Sequence, residues 1–520
     1  MVAAASAAGR GVRMRLPDLL ANSVARFPDQ PCVIAGERRL TFSQVDSRAD
    51  RLVAAFAARG LRPGDRVALL ARSEPEYFEL QVAAQRSGVI LVPLNFRLAF
   101  RELQGIVEDC DPALLVHGPG YGEAASRLGI SRVWGMGPES AGERYEVVLA
   151  QHEPVPADRL LDADAPSSIL YTSGTTGRPK GAVTSNGTLW ARLNLFCIEM
   201  GMAPRDTFLF PIPLFHVSSA VAYAFAYRGG TVVLMRDFDP REAVELIAEH
   251  GGTHAVFVPT MIGRIVDRLA RVPVQLDTLR LVLYGGSAIA PGLVRRAMSL
   301  LGCRFVQGYG LTEAINATML RPSDHDPERW PERLASAGTD TVSYEVRVVD
   351  ADDRELAPGE VGEIVVRGPG VMDGYWHAPE ATASVLRGGW LHTGDLGYRA
   401  ADGYLYITDR LKDVIVSGGE NVYSREVEDA LYEHPDVLEA AVIGIPSERW
   451  GESVHAEVVA RSSAELGPDE LIEHCRRCLA SYKAPKSVRI VNELPKNASG
   501  KILKREIRDR YWRHAERAVG

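Results

Sequence analysis

The sequence predicts an α/β protein of more than one domain: a large N-terminal part of parallel, helix-covered sheets with a small β-rich subdomain, then a small α+β unit. Three observations predict it. A chain of 520 residues is longer than a single core fills, so two or more domains are expected. Short apolar runs alternate with helical patterns near the N-terminus and again between residues 241 and 307, the rhythm of parallel strands joined by crossover helices. Between residues 343 and 407 that rhythm gives way to short strands separated by Gly- and Asp-rich turns.

In chain order, residues 40–59 read as a helix, 67–70 as a strand, 75–87 as a helix and 89–93 as a strand. The alternation returns with helices at 241–250 and 291–300 and strands at 255–258 and 281–284. In the β-rich stretch, 363–367 and 404–407 read as strands. After Lys412 the pattern is mixed to the end. There 468–479 reads as a helix, with Pro468 at its start and Leu471, Ile472, Cys475 and Cys478 on one face.

The composition is that of an ordinary globular protein, 46% hydrophobic and 24% charged. A net charge of −8 gives no electrostatic reason to bind nucleic acid or an anionic membrane. The longest apolar run, 217–235, is broken by Arg228 and a Gly pair and does not suit a transmembrane span. The Ala-rich start lacks a basic region before its short apolar stretch and reads as a tail, not a secretory signal. Six scattered cysteines suit a reducing cytoplasm. His474 precedes the CxxC of Cys475 and Cys478, but a structural zinc site wants a second ligand pair at similar spacing. None appears, so these two are read as buried helix cysteines.

The most informative segment is Tyr171-Thr-Ser-Gly-Thr-Thr-Gly-Arg-Pro-Lys-Gly181, which follows an apolar strand at 168–170. Glycines let a backbone approach polyphosphate, hydroxyls and exposed N–H groups donate to its oxygens, and Lys180 adds positive charge. The spacing departs from G-x-x-x-x-G-K-[ST], and no G-x-G-x-x-G opens a helix elsewhere.

This segment resembles the phosphate loop of the adenylate-forming superfamily, which spans acyl- and aryl-CoA synthetases, peptide-synthetase adenylation domains and firefly-type luciferases. Further family signatures follow in order: Gln307-Gly-Tyr-Gly-Leu-Thr-Glu313, Trp390-Leu-His-Thr-Gly-Asp395, Asp409-Arg-Leu-Lys-Asp413 running into Ser417-Gly-Gly-Glu-Asn421, and Pro495-Lys-Asn-Ala-Ser-Gly-Lys501. They cover nearly the whole chain, and the fatty-acid–CoA ligase-like branch fits best.

The resemblance implies ATP, Mg²⁺ and CoA, and a role for each matching residue. Thr172, Ser173, Gly174, Thr175, Thr176 and Gly177 would hold the β- and γ-phosphates with Lys180, and Thr172 and Glu313 would position the metal. Gly285, Gly286 and Ser287 would recognise adenine, with Tyr309 stacked on the base, and Gln307, Gly308, Gly310 and Thr312 would also belong to the nucleotide-binding set. Asp395 would accept both ribose hydroxyls, and Arg410 would contact ribose or phosphate. Lys501 matches the catalytic lysine that bridges carboxylate and α-phosphate, a point charge on a long stem.

His216, in Pro213-Leu-Phe-His-Val-Ser218, would sit between the acyl pocket and the approach of the thiol. No acidic residue there meets an ammonium group, so an acid without an α-amino group is favoured. Phe215, Val217, Ser218, Ser219, Ala222, Ser287, Ala314, Ile315 and Asn316 would surround a medium or long fatty chain or a bulky cyclic or aryl ring.

The resemblance also divides the chain into 1–409, a hinge at 410–412 pivoting on Lys412, and a mobile unit at 413–520 that presents Lys501 for adenylation and Gly418–Gly419 for thioester formation. Residues 409–421 run on without an evident insertion, which favours CoA as acceptor over a carrier-protein phosphopantetheine. The rival readings are such a carrier-loading ligase, a luciferase-like oxygenase and a catalytically dead adenylate-binding protein. The last should have lost Glu313, Asp395 or Lys501, and all three are present.

Overall fold

The computed structural model describes residues 14–138, 140–156, 159–172, 179–287, 289–417, 420–447, 449–461, 466–496 and 502–518. Two large sheets dominate. The first has eight strands, in the order Gly374–Tyr375, Lys180–Ser185, Pro166–Thr172, Ile90–Pro93, Arg66–Leu70, Leu114–His117, Val133–Gly135 and Glu143–Arg144. The second has nine, in the order Thr339–Asp340, Ala314–Leu320, Arg304–Leu311, Leu281–Gly285, His254–Phe257, Thr207–Phe210, Thr231–Leu234, Pro31–Ala35 and Arg38–Thr41. Their inner strands run parallel, as the βα rhythm requires.

The period of two along a strand explains how these sheets stack. Val67 and Leu69 enter one core while Ala68 and Leu70 enter another, and Phe208 and Phe210 part from Leu209 in the same way. The shared core lies between the two sheets and takes the helices Phe42–Ala58, Glu76–Ser87, Asn186–Glu199 and Ser219–Arg228. Further helices cover the two outer faces: Phe100–Cys110 on the first sheet, and Pro240–Glu249, Pro259–Arg271 and Pro291–Leu301 on the second. A Thr41–Gln44 capping box starts the long Phe42–Ala58 helix, two residues inside the predicted 40–59. The apolar run 217–235 resolves into the helix Ser219–Arg228 and the strand Thr231–Leu234, divided at Gly229 with φ +87°.

The β-rich subdomain is a five-stranded sheet built on Gly362–Arg367 and Trp390–Arg399, with Leu405–Arg410 as its last strand in sequence. A separate five-stranded sheet follows, centred on the hairpin Val437–Ser447 and Gly451–Ala460. One face of that hairpin buries Ala440 and Val442 against the helices Ser424–Tyr432 and Pro468–Cys478. The other buries Ala441 and Ile443 with Leu494 and Ile507. The sequence reading needs one correction here. Cys475 is buried, but Cys478, the last residue of its helix, is exposed, because the helix ends where the core does.

Candidate active site

The site grows from the carboxyl ends of two parallel neighbours, Leu281–Gly285 and Arg304–Leu311. Gly285 and Gly308 face each other across that pair; a β-carbon on Gly285 would lie 2.4 Å from the Gly308 carbonyl oxygen. On the far side of Gly308 sits the side chain of Asn316, whose φ of +49° is one of the few left-handed conformations an Asn tolerates. Glycine is therefore required for strand packing here, independently of any ligand. Ser287 is exposed at the strand end beyond Gly286.

Two polar corners share the Arg304–Leu311 strand. In the first, the strand turns back into Ala314–Leu320 through Thr312 and Glu313. Glu313 Oε1 accepts a hydrogen bond from the Tyr375 hydroxyl at 2.6 Å. Burial, with Glu313 beside it, pushes the Tyr375 phenol well above its usual range, so it remains a donor. Tyr375 sits there because Gly374–Tyr375 pairs with the strand Lys180–Ser185. That pairing also sets the Lys180 ammonium 5.1 Å from the Tyr375 ring centroid, a cation–π contact. Thr172 is the register partner of Lys180 and its Oγ1 donates to the Lys180 carbonyl at 3.4 Å. Thr172, Lys180 and Glu313 thus come together through Tyr375.

In the second corner, Tyr309 is buried and its hydroxyl donates to Asp395 Oδ2 at 2.8 Å. Asp395, only 5% exposed, pairs through Oδ1 with Arg410 Nε at 3.1 Å, across the register pair that joins Trp390–Arg399 to Leu405–Arg410. Burial and the neighbouring carboxylate hold the Tyr309 phenol well above its usual range. Gln307 carries a buried Oε1 without a hydrogen-bond partner among the described residues, an acceptor that wants a donor.

His216 lies between the strand Thr207–Phe210 and the helix Ser219–Arg228. Its Nδ1 accepts the Ser218 amide at 3.3 Å, which puts the proton of a neutral ring on Nε2, and lies 3.1 Å from Ser218 Oγ. Phe215 beside it packs edge-on to Phe96 at 5.4 Å. Below this segment a cavity of about 20 Å³, the size of one water, is lined by Ser168, Thr184, Arg192, Val217 and Ser219 among others. Lys412 is exposed in the turn between Leu405–Arg410 and Ile415–Ser417; Arg410 itself is still part of its strand. Ser173, Gly174, Thr175, Thr176, Gly177, Gly418, Gly419 and Lys501 lie outside the described residues.

Two family models match the chain. Residues 20–376 match the AMP-binding enzyme family and 426–501 its C-terminal domain. The chain belongs to the AMP-binding enzyme family. It is 40% identical to a feruloyl-CoA synthase of an Amycolatopsis species, over 93% of this chain and 96% of that one. It is 38% identical to the fatty acid–[acyl-carrier-protein] ligase ScoC of Streptomyces coeruleorubidus, over 95% of each chain. Among solved structures, o-succinylbenzoate CoA synthetase from Bacillus subtilis in complex with the acyl-adenylate intermediate OSB-AMP matches with a TM-score of 0.85 and 30% identity, over 95% of this chain and 99% of that one.

Two residues of this candidate site escaped the sequence reading. Tyr375 carried no signal beyond its place in Gly374-Tyr375-Trp376, since only the sheet pairing brings it to Glu313. Arg192 did carry one: it is a lone charge in the apolar helical run Leu189–Phe196. It is 1% exposed and pairs with no carboxylate among the described residues. Instead it donates to the carbonyls of Gly370 at 2.9 Å, Thr312 at 3.2 Å and Glu313 at 3.3 Å, fixing the Glu313 turn from beneath.

Proposed function

We propose that this enzyme is an acid–CoA ligase acting in two steps. A carboxylate oxygen attacks the α-phosphorus of ATP, pyrophosphate leaves and an acyl-adenylate forms. The thiol sulfur of CoA then attacks the acyl carbon, AMP leaves and a thioester forms. What supports the reading is the pair of polar corners on one strand: Glu313–Tyr375–Lys180 suits the phosphates, and Tyr309–Asp395–Arg410 suits the nucleoside.

In this reading Lys180 and the 173–177 loop hold the β- and γ-phosphates, and the unmatched Gln307 Oε1 accepts from the adenine amino group. Asp395 keeps lone pairs free for ribose hydroxyls after accepting from Tyr309. Tyr309 packs its ring beside the base while its hydroxyl orients the carboxylate. Thr172 and Glu313 offer the hard oxygen donors that Mg²⁺ prefers, and the ion, when bound, neutralises phosphate charge. Tyr375 and Arg192 hold Glu313 in place for it. Lys501 bridges carboxylate and α-phosphate, His216 borders the acyl group and the thiol path, and Gly418–Gly419 lets the pantetheine arm pass. The unit at 413–520 turns about Lys412 between the steps. The free cysteines fit the reducing cytoplasm expected from the sequence.

The acid lacks an α-amino group and is a fatty acid or a bulky cyclic or aryl acid. The apolar character of Ala222, Ala314 and Ile315, expected from the sequence to border the acyl group, favours apolar bulk. The test is pyrophosphate release across fatty, hydroxycinnamic and cyclic acids, each with and without CoA. CoA-dependent turnover on one class is expected. The similarity to a carrier-protein ligase makes a phosphopantetheine carrier the second reading; release that stalls after one turnover despite CoA, and resumes with a carrier protein, would establish it instead.

A further inference from the structure

We infer that the C-terminal unit carries a binding site for a zinc-class divalent cation, formed by Glu433, His474 and Cys478 where two helices end side by side. Glu433 directly follows the helix Ser424–Tyr432. His474 and Cys478, four residues apart on the helix Pro468–Cys478, share one face. Cys478 Sγ lies 3.8 Å from Glu433 Oε2 and 3.9 Å from His474 Nε2, and one ligand atom from each of the three residues lies within 4.8 Å of the others. A tetrahedral zinc ion with bonds of about 2.0–2.3 Å spaces its ligands about 3.5 Å apart, so modest side-chain rotation closes the site.

The chemistry and the field both suit such an ion. Thiolate, imidazole and carboxylate together select zinc-like ions over Mg²⁺ or Ca²⁺. Both helices point their carboxyl ends here, where the partial negative charge favours a cation. Behind the site the His434 ring packs edge-on against His474 at 5.2 Å, with His434 Nε2 3.4 Å from Glu470 Oε1. Glu433 and Cys478 are exposed, so water can complete the coordination. Cys475, the other cysteine of the pair, is buried in the core and is not a ligand.

Binding displaces the Cys478 thiol proton. His474 Nε2, now 2.9 Å from the Ala430 carbonyl oxygen, must give up that bond and carry its proton on Nδ1. The ion would tie the two helix ends together, at the opposite end of the Ser424–Tyr432 helix from the hinge and apart from Glu313.

The experiment titrates the metal-free full chain with Co²⁺ and then Zn²⁺. The expected result is a single saturable site whose Co²⁺ form shows a thiolate-to-metal charge-transfer band that Zn²⁺ removes. Cys478→Ser should abolish the band, and Cys478→Ser and Glu433→Gln should each weaken Zn²⁺ binding at least about ten-fold. Cys303→Ser should change neither, and pyrophosphate release with Mg²⁺ should stay unchanged in all three variants, which controls for folding. Absence of the band, or its survival in Cys478→Ser, would overturn the site.

Discussion

At the scale of single residues, the site works by making side chains serve one another before they serve a ligand. Tyr309 places the Asp395 carboxylate, and Tyr375 places that of Glu313. A hydrogen bond to a charged group contributes about 1.5–3 kcal/mol. Tyr309→Phe should therefore raise KM for ATP by roughly ten-fold or more while leaving acid KM near its original value. An unchanged ATP KM with only a lower Tm would mean the hydroxyl merely supports the core. Lys501→Ala is expected to lose adenylation by about 3–4 kcal/mol in the transition state, yet to keep thioester formation from supplied acyl-adenylate. Equal loss of both steps would refute its assignment to the first step alone.

Among the elements, a contact between the β-rich subdomain and the C-terminal unit bears on the proposed hinge motion. Asp409, in the strand Leu405–Arg410, accepts from the Ser424 amide through Oδ2 and from Ser424 Oγ at 3.0 Å through Oδ1. It thus caps the Ser424–Tyr432 helix, whose own N-cap residue Tyr423 supplies no side-chain bond. Lys504 completes the cluster, donating to Ser424 Oγ at 2.6 Å and pairing with Glu428 at 2.8 Å. Burial raises the Asp409 pKa against the opposing pull of Lys504. Rotation about Lys412 would part Asp409 from Ser424 and Lys504. Asp409→Ala should then shift the ratio of the two half-reaction rates by at least about five-fold, as a coupling of 1 kcal/mol implies. Parallel changes in both rates would count against this contact as a brake on the hinge.

For the whole molecule, the acid limit of stability follows from three buried histidines. Burial lowers His254, His325 and His455 to about 4 each. Their native forms stay neutral while the unfolded chain protonates near its ordinary value of about 6.5. The stability they contribute is complete above that value and is lost as pH falls from 6.5 towards 4, at a cost on the order of a few kcal/mol for each histidine. Tm should fall steeply across this window, and His325→Gln, which keeps a partner for Tyr284, should flatten the fall. A Tm indifferent to pH between 7 and 4.5 would contradict the assignment.

Local pattern alone determined the strand–helix rhythm, the break at Gly229 and the order of the signature motifs, because period, glycine conformation and loop composition act over a few neighbouring residues. The family assignment was legible for the same reason. Only the tertiary structure decided which partners those motifs acquire. Tyr375 meets Glu313 across 62 residues of sequence, and Arg192 reaches the same turn across 121. Neither pairing leaves a periodic trace. Cys478 shows the converse: its helical face was read correctly, but burial depends on where the opposing core stops, and Glu433 approaches it from a helix 45 residues away. Side-chain burial and long-range contact are properties of packed surfaces, and no single segment of the chain contains them.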